Sequence, residues 1–236
     1  MREGRSRTAR GDRDEAEKPF WISFADLMTA LMVLFLVVMA VALLAVTRTV
    51  SEAEEREAKY KADIDHCLSL AVAASKRHEG VKVDLQRRVL DFGERARFAF
   101  GRADLTVEQQ GVLRRFVPEL LGMAETEQCK RVLKRVVVEG YTDKQGAYLV
   151  NLNLSLMRSQ RVLCAMFETN GPDLLTEAQK EAVRDVFLVG GFAFNSSKDT
   201  PEESRRVEMR LEFLGLNEKR VEPQRGVEAN FGKCAI

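Results

Sequence analysis

The sequence of 236 residues has almost no excess of charge, since 37 basic side chains stand against 36 acidic ones and the formal net charge is +1. A protein that binds nucleic acid mainly through positive charge needs a clear basic excess, so we expect no direct nucleic-acid binding. The same balance excludes a long acidic disordered tail. At about 100 to 200 residues per domain, the length permits one sizeable domain with additional segments, or two small domains.

Residues that build enzyme or metal sites are scarce. The only histidines are His66 and His78, and no two of the four cysteines form a Cys-x-x-Cys pair, so a zinc site is not expected. The sequence contains no nucleophile elbow, phosphate-binding loop or paired carboxylates. We therefore predict a protein that is not an enzyme and that has no metal and no cofactor.

Charge is missing altogether from residues 27–46, which are twenty residues with Thr29 as the one hydroxyl. A helix of this length rises about 30 Å, the thickness of the hydrocarbon core of a bilayer. We therefore predict a transmembrane helix over 20–46, with a buried core helix as the alternative. The apolar run is too long for the hydrophobic part of a secretory signal.

The two flanks of this span differ in charge. Residues 1–19 carry six Lys or Arg, whereas residues 51–65 carry three basic and six acidic side chains. A basic flank favours the cytoplasmic side, so 1–19 is predicted to be a disordered cytoplasmic tail, with Phe20 and Trp21 at the inner interface. The remainder of the chain is then exported.

Residues 47–91 are predicted to form a helical linker, because 50–74 contain neither Gly nor Pro. A weak heptad seam with spacings of three and four allows pairing with a second copy of the chain, and a single solvated helix is the alternative. The seam consists of Val50, Ala53, Tyr60, Ile64, Cys67, Ala71 and Ala74.

From residue 92 the pattern changes to alternating short strands and helices, which predicts an α/β sandwich over 92–216 and a C-terminal extension over 217–236. Strands are expected at 97–100, 131–140, 186–192 and 206–213. Helices are expected at 106–121, 151–167 and 176–184. Residues 131–140 hold the densest run of β-branched side chains, which is typical of a buried strand.

All four cysteines follow the predicted span, in a compartment that permits disulfides. They are Cys67, Cys129, Cys164 and Cys234. Three pairings within one chain are possible, and the sequence does not choose among them. Because Cys67 lies in the heptad seam, a bond between two copies is a further alternative.

One acidic residue, Asp26, stands at the start of the span in Phe-Ala-Asp-Leu-Met-Thr-Ala-Leu-Met over 24–32. A carboxylate at membrane depth costs at least about 2.5 kcal/mol, so we expect it to be neutralised, paired or turned towards a polar path. Ser23 and Thr29 lie three residues away on the same helical face, where their hydroxyls are candidate partners. The alternative is an interfacial aspartate that reaches water.

This segment resembles the membrane segment of MotB-type B subunits of flagellar stators. The resemblance implies that Asp26 carries the ion, with a proton expected and sodium as the alternative, and that two B subunits sit in a ring of five multi-span A subunits. A single helix cannot enclose an ion path, so a partner is also required on physical grounds. The opening Phe-Trp-x-Ser-Phe-Ala-Asp-Leu-Met-Thr over 20–29 looks more like the B subunits of Zorya anti-phage defence complexes. A flagellar stator is the alternative.

Two further motifs carry a second resemblance. They are Gly-Tyr-Thr-Asp at 140–143 and Asn-x-x-Leu-Ser-x-x-Arg at 151–158. These residues resemble the OmpA-like peptidoglycan-binding domain, over roughly 93–215. The resemblance implies that Asp143 and Arg158 hold the diaminopimelate of the stem peptide. Such a ligand presents an amine and a carboxylate, which an acid and a forked base can bind.

The other residues of this candidate site are Thr142, Val150, Asn151, Leu154, Ser155, Arg161 and Arg205. Asn151 is expected to cap the helix start, and Val150 with Leu154 to form an apolar wall. Arg161 and Arg205 are either auxiliary anion contacts or solvated side chains. Two departures from the family pattern are Tyr141 in place of His and Ser204 in place of Asn.

The sequence therefore predicts a single transmembrane helix with a periplasmic OmpA-like domain, in an ion-driven, dimeric stator subunit of the bacterial inner membrane that binds peptidoglycan. Single-span partners of TonB and Tol systems also carry an aspartate in one helix, but they lack an OmpA-like module. A passive tether between wall and membrane, with an incidental Asp26, is the alternative from another class.

Overall fold

The structure is a computed structural model that describes residues 12–220 and 230–234. It consists of two compact units, residues 1–57 and 58–236. Of the predicted disordered tail over 1–19, residues 1–11 lie outside the described residues, and so do residues 221–229 of the C-terminal extension. Residues 12–19 are helical, so the prediction of disorder is wrong for them.

The first unit is dominated by helix α1, which extends over Asp12–Ser75 and continues into the second unit. Among the described residues, one helical segment is long and apolar enough to cross a membrane, and none of its apolar window is buried. The side chain of Phe35, for example, is 66% exposed. The alternative of a buried core helix is therefore wrong, and this surface requires lipid or partner helices to cover it.

The second unit is built on a five-stranded sheet with strand order β1-β2-β5-β3-β4. Its strands are β1 Lys82–Asp84, β2 Val89–Asp91, β3 Leu133–Gly140, β4 Phe187–Gly191 and β5 Val207–Phe213. The β3 and β4 strands pair in parallel, whereas β5 pairs antiparallel with both β2 and β3. The strand β3 thus lies inside the sheet, as its β-branched sequence predicts.

The remaining helices of this unit are α2 Val107–Ala124, α3 Glu127–Val132, α4 Tyr148–Phe167, α5 Glu177–Val186 and α6 Pro201–Ser204, with a 3₁₀ turn at Gly93–Ala96. Thr106 caps α2 and Thr176 caps α5, each in a reciprocal capping box with a glutamine. Apolar faces of α2 and α4 pack on the sheet around Phe116, Val138 and Val162, all completely buried. The mixed α/β domain predicted from the sequence is confirmed.

The predicted helices and three of the four predicted strands are present, with boundaries shifted by a few residues. The strand expected at 97–100 is wrong, because only one bridge, between Arg97 and Arg206, forms there. The strands β1 and β2 were not predicted, and their place in the sheet means that the α/β domain begins before residue 92. Three-residue strands are too short to show a clear alternation.

The heptad seam is partly an intramolecular contact. Ile64, Cys67, Ala71 and Ala74 are all buried within the second unit. The part of the seam that follows Tyr60 therefore packs against its own domain and is not free to pair with a second copy.

The cysteines form two disulfides within the chain, Cys67–Cys129 and Cys164–Cys234. The first joins α1 to α3, and the second joins α4 to the C-terminal segment at 230–234. The alternative of a bond between two copies through Cys67 does not hold in this structure.

Candidate functional site

The candidate site of the α/β domain lies at the turn that follows β3, and Gly140 lets this turn approach α4. A Cβ atom at Gly140 would lie 1.9 Å from the carbonyl oxygen of Ser155, so no other residue fits. Main-chain bonds fix the turn on both sides, since Tyr141 donates to the Arg206 carbonyl at 2.9 Å and Thr142 to the Ala193 carbonyl at 2.8 Å. The two motifs singled out in the sequence therefore meet directly.

Asp143 is buried beside the first turns of α4, and its carboxylate pairs with Arg205. Oδ2 accepts a bond from Nη1 of Arg205 at 2.8 Å, and Oδ1 accepts one from the Gln145 amide at 3.1 Å. Burial disfavours the cation of Arg205, but hydrogen bonds to Asp143 and Glu202 outweigh it and raise the pKa of Arg205. Arg205 is thus a partner of Asp143, and the alternative of a solvated side chain does not hold.

Arg158 is completely buried, and its guanidinium is held by main-chain carbonyls. It donates to the carbonyls of Tyr141 at 2.6 Å, Arg102 at 2.9 Å and Ala99 at 3.3 Å. Burial lowers the pKa of Arg158 to about 10, although the nearby Asp143 carboxylate opposes this change, so Arg158 remains a cation at neutral pH. Arg158 therefore supplies positive charge close to Asp143 while its hydrogen-bonding fork is occupied.

The start of α4 differs from the expectation in one respect. Asn151 is not the helix cap, because α4 begins at Tyr148 with Ala147 in the cap position and no side-chain cap. The amide of Asn151 instead donates to the Gln145 carbonyl at 2.8 Å, which ties the helix to the loop after Asp143. The early start arises because helical geometry is satisfied by main-chain bonds alone here, such as Asn151 to Ala147.

The predicted apolar wall is only partly exposed to a ligand. Val150 is 66% exposed, and Leu154 is half-buried one turn further along α4. The Ser155 hydroxyl donates to the Leu152 carbonyl at 2.7 Å and accepts a bond from the Ala193 amide at 3.1 Å. Ser155 therefore holds the end of β4 against the helix.

Two buried polar atoms among the described residues have no hydrogen-bond partner, the Thr142 hydroxyl and Nε of Arg161. The Thr142 side chain is 1% exposed and directly precedes Asp143. Arg161 lies one turn after Arg158 and reaches Asp104 at 3.7 Å. Buried polar atoms are normally paired, so these two mark positions that a ligand or water can occupy.

The sequence reasoning missed a buried charge network behind the turn. The Tyr141 hydroxyl donates to Glu139 at 2.7 Å, and Arg210 forks onto the same carboxylate at 2.6 and 2.9 Å. Burial, reinforced by the bond to Glu139, raises the pKa of Tyr141. The guanidinium of Arg206 stacks over the Tyr141 ring at 4.3 Å. The signal in the sequence was the alternation of charged residues along β5, at Glu208, Arg210 and Glu212.

In the first unit, the side chain of Asp26 is exposed. Asp26 lines a shallow surface groove together with Ala30, Val33 and Val37. The Thr29 hydroxyl donates to the main-chain carbonyl of Asp26 at 2.9 Å and not to its carboxylate, as helical hydroxyls often do. No ion pair of Asp26 occurs among the described residues. The side chain of Ser23 lies outside them.

The sequence and fold were compared with known proteins. Residues 5–49 match the family model described as membrane MotB of the proton-channel complex MotA/MotB. Zorya protein ZorB from Escherichia coli O139:H28 (strain E24377A / ETEC) is 43% identical over 210 residues, which are 88% of this chain and 85% of ZorB.

Solved structures with similar folds include a putative MotB-like protein from Desulfovibrio vulgaris and the cell wall anchor of the T6SS from Pseudomonas aeruginosa. The first is 17% identical, covers 67% of this chain and 96% of its own, and has a TM-score of 0.39. The second is 22% identical, with 58% and 91% coverage and a TM-score of 0.37.

A span-length helix that carries one acidic residue, followed by a mixed α/β domain, defines a membrane-anchored protein of the MotB-like class. Within that class, the 43% identity to ZorB over 88% of this chain shows the family. The chain belongs to the ZorB family.

Proposed function

We propose that this protein is the B subunit of an ion-driven stator complex in Zorya anti-phage defence, anchored to peptidoglycan and without enzymatic activity. The observation that carries the proposal is the 43% identity to Zorya protein ZorB across both the membrane helix and the α/β domain. The family match over 5–49 supports a role in a proton channel for the membrane part.

The membrane part of the proposal rests on Asp26. Its carboxylate has no ion pair within the described chain and lies on a helix whose apolar surface is fully exposed. Such a helix needs partner helices, and the proposed partners are multi-span A subunits, five around two copies of this chain. Each proton that crosses about 100 mV provides about 2.3 kcal/mol, which loading and unloading of Asp26 makes available to the complex.

The wall-binding part rests on the pair of Asp143 and Arg205, with the Arg158 cation behind it. A diaminopimelate centre carries an ammonium and a carboxylate, so it can bind Asp143 and Arg205 while keeping both charges satisfied. The unpaired hydroxyl of Thr142 offers one more hydrogen bond beside them. The chain is then a single-pass inner-membrane protein with a cytoplasmic N-terminus and a periplasmic α/β domain.

The ion-carrying role is tested with Asp26→Asn and Asp26→Glu in the full complex with its A subunits. Proton flux into vesicles, followed with a pH-sensitive dye, should be lost in Asp26→Asn and partly kept in Asp26→Glu, because only the latter retains a titratable carboxyl group. Thr47→Val is the matched control, because the Thr47 hydroxyl also donates to a main-chain carbonyl, that of Leu44, at 3.0 Å but lies far from Asp26 along the helix, and this variant should keep most of the flux. A fully active Asp26→Asn complex would favour the passive tether.

The wall-binding role is tested by sedimentation of the full-length protein with purified peptidoglycan. Asp143→Asn should weaken binding by about tenfold or more, the effect of losing one charge-assisted hydrogen bond. Asp173→Asn is the matched control, because Asp173 is exposed and has a φ of 56° that asparagine tolerates. Equal binding by Asp143→Asn and the parent protein would place the wall site elsewhere.

A further inference from the structure

The last turns of α1 are an integral part of the α/β domain. Within the second unit, Ile64, Leu68, Ala71 and Ala74 are all at most 8% exposed and belong to the hydrophobic core. This region of the chain is therefore held by the same packing as the sheet and is not a solvated linker.

Two polar contacts hold the beginning of this region. The Tyr60 hydroxyl donates to the Leu214 carbonyl at 2.5 Å, just beyond the end of β5. Arg131 forks onto Asp63 with two bonds of 2.8 Å. The hydrogen bonds from Arg131 lower the pKa of Asp63, because they outweigh the opposing effect of burial. This ion pair is therefore present at all physiological pH values.

A covalent bond holds the middle of the region. Cys67 and Cys129 are both completely buried, and their disulfide connects α1 to α3. The α3 helix leads directly into β3, and β3 ends three residues before Asp143. The disulfide thus provides a covalent path from α1 to the strand that carries the candidate wall site, bypassing residues 68–128.

We propose that residues 60–75 form a joint that resists tension along the chain, and that the Cys67–Cys129 disulfide keeps this joint closed when the chain is pulled. The proposal rests on the proposed anchoring function, since only a protein held at both ends carries a load. A pull that enters the domain at residue 58 meets the Tyr60 contact first, then the Asp63 ion pair, and then the disulfide. Contacts beyond Cys67 are shielded, because the covalent bond passes the force to Cys129.

The extension that the joint allows has a geometric limit. A helical residue contributes about 1.5 Å of length and an extended one about 3.4 Å. Detachment of residues 58–67 with loss of their helical structure therefore lengthens the chain by about 20 Å, and the intact disulfide stops the extension there. The same change over the whole region 58–75 lengthens the chain by about 35 Å and requires the disulfide to be absent.

The test is single-molecule pulling of the full-length protein in detergent, with one handle at the N-terminus and one at position 144 through Lys144→azidophenylalanine. Position 144 is exposed and adjoins Asp143, so the force runs between the membrane end and the candidate wall site. The Cys67→Ala/Cys129→Ala chain should show an early step of about 35 Å before global unfolding, beginning at a force close to that of any early step of the parent, because both chains break the Tyr60 and Asp63 contacts first. The parent should never exceed about 20 Å before global unfolding.

The matched control is Cys164→Ala/Cys234→Ala, which removes the other disulfide and should behave like the parent. A first pull on this control in dithiothreitol unfolds the domain, exposes Cys67–Cys129 and lets the reagent cleave this remaining disulfide. After refolding, a second pull should produce the 35 Å step, even if the first variant fails to fold. Equal early steps with and without the Cys67–Cys129 bond would overturn the proposal. Because the handles replace the cell wall, failure of peptidoglycan binding would leave this measurement unchanged.

Discussion

Gly140 offers a sharp test of how the candidate site is assembled, because the carbonyl of Ser155 occupies the space where a side chain would begin. A Cβ atom there would lie 1.9 Å from that oxygen and 2.8 Å from the adjoining carbonyl carbon. Both atoms belong to the main chain of α4, so rotation of a side chain cannot relieve the clash. The helix or the strand end must move by about 1.5 Å, the difference between this distance and an ordinary Cβ contact of about 3.4 Å.

We expect Gly140→Ala to destabilise the α/β domain by about 3 kcal/mol, at the upper end of the cost of overpacking a core. For a domain of this size, that corresponds to a melting temperature lower by about 6 to 12 °C. The variant should also bind peptidoglycan more weakly, because Asp143 and Arg158 lie on the two elements that are forced apart. Differential scanning calorimetry of the full-length protein and sedimentation with peptidoglycan measure the two effects.

Gly122→Ala is the matched control, since Gly122 lies in α2 and an added Cβ would meet nothing within 4 Å. Alanine is a better helix former than glycine by up to about 1 kcal/mol, so this variant should melt slightly higher than the parent. A melting temperature of Gly140→Ala within 2 °C of the parent would refute the close approach of strand and helix.

Two further predictions concern polar contacts away from the site turn. Tyr141→Phe removes the bond to Glu139 but keeps the Arg210 fork, so we expect a loss of about 1.5 kcal/mol, measured by calorimetry, with the fold unchanged. A larger melting-point loss than for Gly140→Ala would contradict this. Because the pKa of Asp63 is lowered in the folded chain, its stabilising effect is present above about pH 4, the unfolded value, and is lost as the pH falls through the folded value. Asp63→Asn should therefore melt lower than the parent at pH 7, and this difference should shrink towards pH 2. A difference in melting temperature that stays the same from pH 7 to pH 2 would show that the Asp63–Arg131 ion pair does not stabilise the domain.

The parts of the fold that the sequence predicts are those with a repeated physical signal. The β3 strand clusters β-branched side chains, and β5 alternates apolar with charged ones. The start of α2 is marked by the capping box of Thr106 and Gln109. The meeting of β3 with α4 is implied by the resemblance to the OmpA-like domain, because the motifs that contain Gly140 and Ser155 face each other in that family, whereas strand patterning and helix capping are signals within a few residues. These signals are local, so a single sequence contains them.

The parts that were missed depend on partners far away in the chain. The environment of Arg158 consists of main-chain carbonyls, which every residue has, so no residue type marks them in advance. The Cys67–Cys129 pairing depends on the end of α1 packing into the core of the α/β domain. The seam residues that make this contact were equally compatible with pairing to a second copy of the chain. The cap expected at Asn151 failed because main-chain bonds begin the helix one turn earlier.

The arrangement at Asp143 also bears on how firmly one copy of the protein holds a wall. Asp143 and Arg205 already satisfy each other in this structure, and Arg158 is saturated by carbonyls. A ligand with an amine and a carboxylate therefore exchanges existing bonds for new ones, and only the surplus contributes to its affinity. A single site of this kind is expected to bind moderately. When two linked copies bind the same wall, the second binding event occurs at a high effective concentration, so the apparent affinity rises without any new contact. The proposed dimer therefore strengthens wall binding in addition to its role around the ion path.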